Sequence, residues 1–352
     1  MTQSIAIILP SLANQAPILV AKDLVSGMIK QAAYVEVFHF DEIVEVDFEC
    51  ATRKIGFFEP IDFDHFDIVH THMLRPDAYI WFWRILKSCK STKFVSTIHN
   101  IVEEDLFFKY GRLTSIVFSR LWRLFWSAQD RLVVLNQSAK KYYGNFLGRR
   151  DIEVIHNGRA LAHVGKIDIQ DAAAIEGLKT KFKIIGCCAL LTHRKGIDQI
   201  IRVLPELQDY ALVIVGDGQV REELEKLAVE LNVLARCLFL GFRHNAQSYL
   251  PLFDLYVMPS RSEGLPLALL EAAGHKRAIV CSDIDVFKEI FTSEEASFFQ
   301  LEDRASLKQA IEFAYEKRER LADNVNKRYL ASYTREVMAQ RYTEFFSELR
   351  RS

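Results

Sequence analysis

Short runs of β-branched and aliphatic residues alternate along the chain with longer amphipathic stretches. That rhythm predicts parallel strands joined by crossover helices. In the first half the predicted strands are Ile5–Leu9, Tyr34–His39, Ile68–Thr71, Phe94–Ile98, Arg131–Leu135 and Glu153–Ile155. In the second half they are Phe182–Cys188, Ala211–Val215, Cys237–Leu240, Leu255–Met258 and Ala278–Cys281. A run such as Ala211-Leu-Val-Ile-Val215 is apolar at every position, as a strand covered on both faces requires. The polar, Gly-containing stretch 157–166 separates the two series and is the predicted domain boundary, with Ile169–Lys179 the first helix beyond it. Thr334–Leu349 is predicted as one helix with Val337, Met338, Arg341, Phe345 and Leu349 on one side. The expected architecture is α/β: two Rossmann-like doubly wound domains, 1–160 and 165–330, with a C-terminal helix in 331–352 packing back towards the first. Open α/β sheets bind ligands outside the carboxyl ends of their strands. Two such sheets facing a central cleft place the expected chemistry in the loops after strands.

Composition narrows the class without naming a chemistry. The 352 residues suit two cores rather than one, and 50% apolar with 26% charged residues is a globular composition. A formal net charge of −1 speaks against a nucleic-acid binder. The charge is uneven, however: residues 1–71 carry −7 and residues 72–150 carry +9. The six cysteines are scattered, with no CxxC, and sit among apolar neighbours, as in Ile185-Gly-Cys187-Cys188-Ala189. Buried thiols in a reducing compartment fit that pattern. The apolar run Ile5–Leu9 is short and no Lys or Arg precedes Lys22, so no secretory signal is expected. The apolar stretch 115–126 is interrupted by Arg120 and Arg123, so no transmembrane helix is expected. The expected location is the cytoplasm, at the inner face of the membrane.

The segment Met258-Pro-Ser-Arg-Ser-Glu263-Gly-Leu-Pro-Leu-Ala-Leu-Leu-Glu271 carries the densest chemistry. A strand ends, a Gly/Pro loop follows, and Pro266 stands where a helix start tolerates it. A helix N-terminus beside Gly264 and Leu265 is an anion site. Glu263 and Glu271 lie roughly 8 Å or more apart along such a helix, so they address opposite ends of an extended ligand. A carboxylate accepts two hydroxyls at once, which suits a sugar or a ribose. Against this stands a simpler account, in which Glu263 only complements the helix dipole and Glu271 is a solvated face residue.

Glu263-x₇-Glu271 within Pro-Ser-x-x-Glu-Gly-Leu-Pro resembles the signature of the retaining GT-B glycosyltransferases of family 4. Val213-Ile-Val-Gly216-Asp-Gly218, Leu238-Phe-Leu-Gly241-Phe242, Ile155-His-Asn157-Gly158 and Thr97-Ile-His99-Asn100 resemble that family's landmarks in order. The resemblance runs from about Asp67 to the C-terminus. It implies that Glu271 binds ribose hydroxyls and that Glu263, Gly264 and Leu265 hold the donor sugar and phosphates. Gly216, Gly218 and Phe242 join the donor side, Phe242 near the base. His99 is expected to hydrogen-bond the transferring sugar rather than act as a nucleophile. His72, with His70 beside it, and Asn14 are acceptor-side candidates. Arg194 and Lys195, in Leu191-Thr-His-Arg194-Lys195-Gly196, suit a leaving diphosphate. Two departures stand out: Ala189-Leu190 occupies the place of the family's early Arg or Ser, and Pro10–Pro17 lacks the paired glycines after the first strand.

The expected co-substrate is a nucleotide diphosphate sugar, UDP favoured over GDP, with no resident cofactor and no catalytic metal. Asp62-Phe-Asp64 and Asp283-Ile-Asp285 match a metal-binding Asp-x-Asp by letters only. The expected reaction is retaining transfer of a hexose to a glycan acceptor, lipid-linked or of a lipopolysaccharide or polysaccharide precursor. The alternatives are a soluble acceptor or a non-catalytic nucleotide-sugar-binding subunit of a membrane assembly. Taken as one helix, which Gly111 is able to break, 105–127 aligns Lys109, Arg112, Arg120 and Arg123 within about 80°. Among Trp and Phe, that stripe fits either contact with an anionic membrane or a core helix with a solvated basic edge.

Overall fold

The computed structural model describes residues 3–87, 89, 91–161 and 165–351. The chain forms two compact units, Met1–Arg159 with Ser332–Ser352, and Ala160–Ala331. Residues 162–164 of the expected boundary stretch lie outside the described residues.

The first unit holds strands β1 (Ser4–Leu9), β2 (Tyr34–His39), β3 (Ala51–Lys54), β4 (Ile68–His72), β5 (Lys93–Ile98), β6 (Arg131–Val134) and β7 (Ile152–Val154). All pair in parallel, in the order β3-β2-β1-β4-β5-β6-β7. Its helices are α1 (Ala16–Lys30), α2 (Leu74–Leu86), α3 (Val102–Tyr110), α4 (Arg112–Trp126) and α5 (Gln137–Leu147). The second unit begins with α6 (Ile169–Lys179), β8 (Lys183–Cys188), α7 (Ile197–Val203), β9 (Tyr210–Val215), α8 (Arg221–Glu230) and β10 (Cys237–Gly241). It continues with β11 (Leu255–Met258), α9 (Leu267–Gly274), β12 (Ala278–Ser282), α10 (Asp285–Ile290), β13 (Ser297–Phe299), α11 (Arg304–Glu316) and α12 (Arg318–Ser332). Its parallel sheet runs β10-β9-β8-β11-β12-β13.

Strand order reverses direction once in each sheet, between β1 and β4 and between β8 and β11. At such a point neighbouring crossovers leave to opposite faces, and a crevice opens at the carboxyl ends. The loops after these four strands are therefore the places to look for chemistry. Every residue of β9 is buried, which is why its sequence reads as an unbroken apolar run.

Two strands escape the hydrophobic pattern. All four residues of β3, Ala-Thr-Arg-Lys, are exposed at the sheet edge, where backbone pairing to β2 holds them without a buried face. Strand β13 has three residues, too short to show a period.

Two helical expectations need correction. Residues 105–127 are not one helix: Gly111 has φ 82° and ψ 175°, a conformation essentially reserved for glycine, and it divides α3 from α4. The four-cation stripe therefore does not exist as drawn, and the side chain of Lys109 lies outside the described residues. The C-terminal helix, α13 (Arg335–Arg351), buries Met338, Ala339, Tyr342, Phe346 and Leu349. Phe346 rather than Phe345 faces inward, and Arg341 and Val337 lie at the margin. The helix belongs to the first unit and crosses α1 so closely that a Cβ on Gly27 would lie 2.4 Å from Ala339 Cβ.

Candidate active site

In the second unit the loops after β8 and β11 are stapled together at the switch point. The Arg261 amide donates to Arg194 O at 2.8 Å, and the Arg261 guanidinium pairs with Asp198 and bonds His193 O. Gln199 donates to Pro259 O at 2.8 Å and accepts from the Glu302 amide at 2.9 Å. Gly196 has φ 65°, and a Cβ there would fall 2.2 Å from Pro259 O, so only glycine lets the two loops meet.

This frame holds an ion triad. Glu263 Oε1 accepts from Lys195 Nζ at 2.6 Å and from Ser260 Oγ at 2.7 Å, and Oε2 accepts from Arg194 Nη1 at 3.2 Å. The Glu263 side chain is only 5% exposed, Lys195 15% and Arg194 19%. Burial pushes the Glu263 carboxyl up, but Lys195 and Arg194 outweigh it and hold it below the usual carboxylate range. One carboxylate against two cations leaves an excess positive charge beside the start of α9. That arrangement is electrostatically suited to an anion with two or more charges.

The remaining donor-side candidates lie in α9 and in the loops after β9, β10 and β11. Gly264 and Leu265 are buried in the loop that leads into α9. Glu271 stands half-buried within α9, among fully buried Leu270, Ala272 and Ala273. Gly216 and Gly218 have a packing reason to be glycine: a Cβ would lie 1.8 Å from Ala189 O and 2.3 Å from Leu191 O respectively. They let the β9 loop lie against the β8 loop, and so seat the Arg194–Lys195 segment. Phe242, just past β10, is 57% exposed and meets His244 edge-on at 4.9 Å, an aromatic face open to stacking.

In the first unit the carboxyl ends of β4 and β5 carry histidines: His70 and His72 lie within β4 and His99 follows β5. His72 Nδ1 and His99 Nε2 are 2.8 Å apart with their rings stacked, so one of the two atoms carries the shared proton. His70 Nε2 bonds Thr97 Oγ1 at 2.7 Å, and Thr97 Oγ1 bonds Tyr342 OH of α13 at 2.8 Å. His70 and His72 are fully buried and His99 is half-buried, so His72 lies beneath His99. Asn14 sits half-exposed after β1, its backbone N–H donating to Glu45 Oε2 at 2.8 Å. Asp62 and Asp64 are exposed on the chain entering β4, at the sheet end away from the histidines. Asp283 is taken up by the Leu301 amide and Lys288. Among the described residues no group of three or more His, Cys, Asp or Glu side chains is arranged to hold a metal ion.

The family model for glycosyl transferases group 1 matches residues 168–329, and the model for glycosyltransferase family 4 matches residues 54–163. The chain belongs to the family 4, group 1 glycosyltransferases. The O-antigen biosynthesis glycosyltransferase WclY of Escherichia coli is 28% identical over 89% of this chain and 90% of its own length. A Campylobacter jejuni N-acetylgalactosaminyltransferase, named for a diphospho-undecaprenol-linked substrate, is 33% identical over 37% of this chain and 34% of its own. Among solved structures, HepE from Anabaena in complex with UDP and glucose superposes with a TM-score of 0.77 at 16% identity, covering 98% of this chain and 100% of its own. That likeness establishes the GT-B fold of two Rossmann-like domains.

Sequence reasoning missed the support layer of this glycosyltransferase's site. Ser260, Gln199 and Arg261 were not singled out, and neither was Tyr342, 245 residues from its partner Thr97. Ser260 lies inside the quoted motif and could have been read as a hydroxyl for Glu263. The other three meet their partners only through the fold.

The histidine cluster sets a pH dependence. Burial holds His70 down to about 3, with His99 adding to the effect, and holds His99 itself down to about 4. His72 is held well below 6.5, first by burial and then by His70 and His99. The folded state keeps these rings neutral, so below about pH 6.5 the unfolded chain binds more protons. Their contribution is complete above that pH and is lost as pH falls towards 4 and 3. Asp77 acts oppositely: burial raises it from 3.8 to about 6, so its contribution is present below about pH 4 and lost as pH rises through 6. Three groups against one decide the sign. Each histidine contributes up to about 1.4 kcal/mol per pH unit. Thermal unfolding is expected to move to lower temperature from about pH 7 to 5, and a melting temperature that holds or rises over that range contradicts the neutral cluster.

Proposed function

We propose that the enzyme transfers a hexose from a UDP-sugar, with retention at the anomeric carbon, to a lipid-linked or lipopolysaccharide-type glycan at the cytoplasmic face of a membrane. The observation that carries this reading is the Glu263–Lys195–Arg194 triad beside the start of α9. The bond from the anomeric carbon to the diphosphate breaks as an acceptor hydroxyl oxygen bonds that carbon on the same face, its proton passing to the departing diphosphate, on whose oxygen negative charge grows. Lys195, Arg194 and the helix start stabilise that charge from fixed positions, in the role a metal ion plays elsewhere. Glu271 receives the ribose hydroxyls, Phe242 lies near the base, and Gly264 and Leu265 line the donor. His99 hydrogen-bonds the transferring sugar as a neutral imidazole whose orientation His72 fixes. Asn14, in the loop after β1, is assigned to the acceptor side. Support for the base comes from HepE, solved with UDP. Support for the acceptor comes from WclY, named for O-antigen biosynthesis, and from the Campylobacter transferase, named for a diphospho-undecaprenol-linked substrate.

A thermal-shift screen of UDP- and GDP-sugars in the presence of EDTA tests this reading. A donor at 100 times its Kd stabilises by about 2.7 kcal/mol. A UDP-sugar is expected to raise the melting temperature and a GDP-sugar is not. A shift that EDTA abolishes removes the metal-free part, a GDP-only shift removes the base, and no shift with any donor removes the reading.

A further inference from the structure

One ion pair of the second unit is more deeply set than a helix start requires. Asp171 lies in the first turn of α6, where the helix dipole favours any carboxylate, yet its side chain is buried. Arg243, just past β10, grips it as a fork, Nε to Oδ2 at 2.7 Å and Nη2 to Oδ1 at 3.0 Å. The buried Tyr249 OH also donates to Oδ2, at 2.6 Å. Arg243 outweighs burial and holds the Asp171 carboxyl below the usual carboxylate range. A planar fork on a carboxylate fixes the direction of the guanidinium as well as its distance.

The guanidinium held in this way turns its remaining nitrogen, Nη1, to Phe242 O at 3.0 Å. The backbone of Phe242 is thus tied through Arg243 to α6. On its other side Gly241 has φ 75°, and Gly241 O accepts from the Gly216 amide at 2.9 Å. Beyond Arg243 the chain is bonded to the segment that leads into α6. Asn245 Nδ2 donates to Lys166 O at 3.0 Å, and the Gly165 amide donates to Ser248 Oγ at 2.9 Å. The result is a restrained backbone that carries an exposed aromatic ring. Anchoring α6 accounts for the fork on Asp171 but not for the third bond, to Phe242 O.

We infer that Arg243, locked by Asp171 and Tyr249, is a positioning residue for nucleotide binding: it presets the Phe242 ring for stacking on the base. The inference rests on the donor reading above and deepens it by naming what fixes the base side of that site. A ring already in place spares the ligand the cost of ordering the loop that bears it.

A double-mutant cycle on UDP affinity, by calorimetric titration of the full chain, tests the inference. Phe242→Ala removes the ring and is expected to weaken UDP binding roughly 5- to 150-fold. Arg243→Lys keeps a cation for Asp171 but loses the fork and the bond to Phe242 O, and is expected to weaken it about three- to tenfold. Both act through one ring, so the double variant should lose no more than Phe242→Ala alone. Melting without ligand reports the fold. Should Arg243→Lys not fold, Asp171→Asn takes its place in the cycle with the same expectation. A clamp that only anchors α6 lowers the melting temperature of Arg243→Lys and leaves its UDP affinity unchanged, and that result overturns the inference. Losses that multiply in the double variant, or an unaffected Phe242→Ala, overturn it as well. A wild type that binds no UDP instead removes the donor reading itself, and the preset ring with it.

Discussion

Glu263→Gln is expected to cost turnover by about 10²–10³-fold while making the protein gain more stability from donor than wild type does. Without ligand, Glu263 is the shared anion of Lys195 and Arg194, at 2.6 and 3.2 Å. Removing its charge leaves two largely buried cations facing each other. Breaking a buried pair in this way costs about 3–5 kcal/mol; the residual exposure of Lys195 and Arg194 places the loss towards the lower end. A bound diphosphate restores an anion to the same cations. The variant should therefore melt earlier alone and show the larger upward shift with saturating UDP-sugar. Chemistry should not recover, because the carboxylate that holds the sugar against its leaving group is absent. Thermal shifts with and without donor, alongside initial rates, read both halves. Unchanged turnover, or a donor shift smaller than that of wild type, would remove the triad from the donor site.

How much of this was legible beforehand follows from where the information lies. Buried strands announce themselves: β2 and β11 lie at the predicted residues and the other predicted strands within a residue or two. Polar edge strand β3 does not, because its pairing is made by backbone atoms that any sequence possesses. Gly111 is legible in the sequence as a candidate break but leaves the boundary undecided, since an isolated glycine is tolerated within a helix. Only its φ of 82° decides the matter, and that decision reverses the meaning of the segment. Read as one helix, 105–127 drew attention to a stripe of cations. Read as α3 and α4, it presents an outward row of leucines pinned by two tryptophans on Asp77.

The candidate site was legible where motif and topology coincide. Glu263, Arg194 and Lys195 were found because they follow strands that flank the switch point, and the fold brings those loops together. The histidines were found singly, but their relation was not: His72 under His99, and His70 held through Thr97 by the C-terminal helix, are contacts between distant segments. The charge state of that cluster follows from burial, which a sequence does not display. Gly216 and Gly218 were read as contacts for the donor, and the structure gives them a second reason to be glycine, the close approach of Ala189 and Leu191.

Glu271→Gln is expected to weaken nucleotide binding by about 1.5–3 kcal/mol, or roughly 10- to 150-fold, while leaving the fold intact. Leu270, Ala272 and Ala273 on either side are fully buried and fix the α9 backbone, while Glu271 itself is half-buried. Glutamine keeps the length of the side chain and one acceptor oxygen. It loses the charge and turns the second oxygen into a donor, so at most one of two ribose hydroxyls keeps a good acceptor. Calorimetric titration of UDP into the full-length protein, wild type beside Glu271→Gln, isolates the nucleotide from sugar and acceptor. The account predicts a measurable UDP affinity in wild type and a loss of at least about tenfold in the variant. Equal affinity in the two proteins, or no UDP binding by wild type, would contradict the assignment of the donor to the second unit.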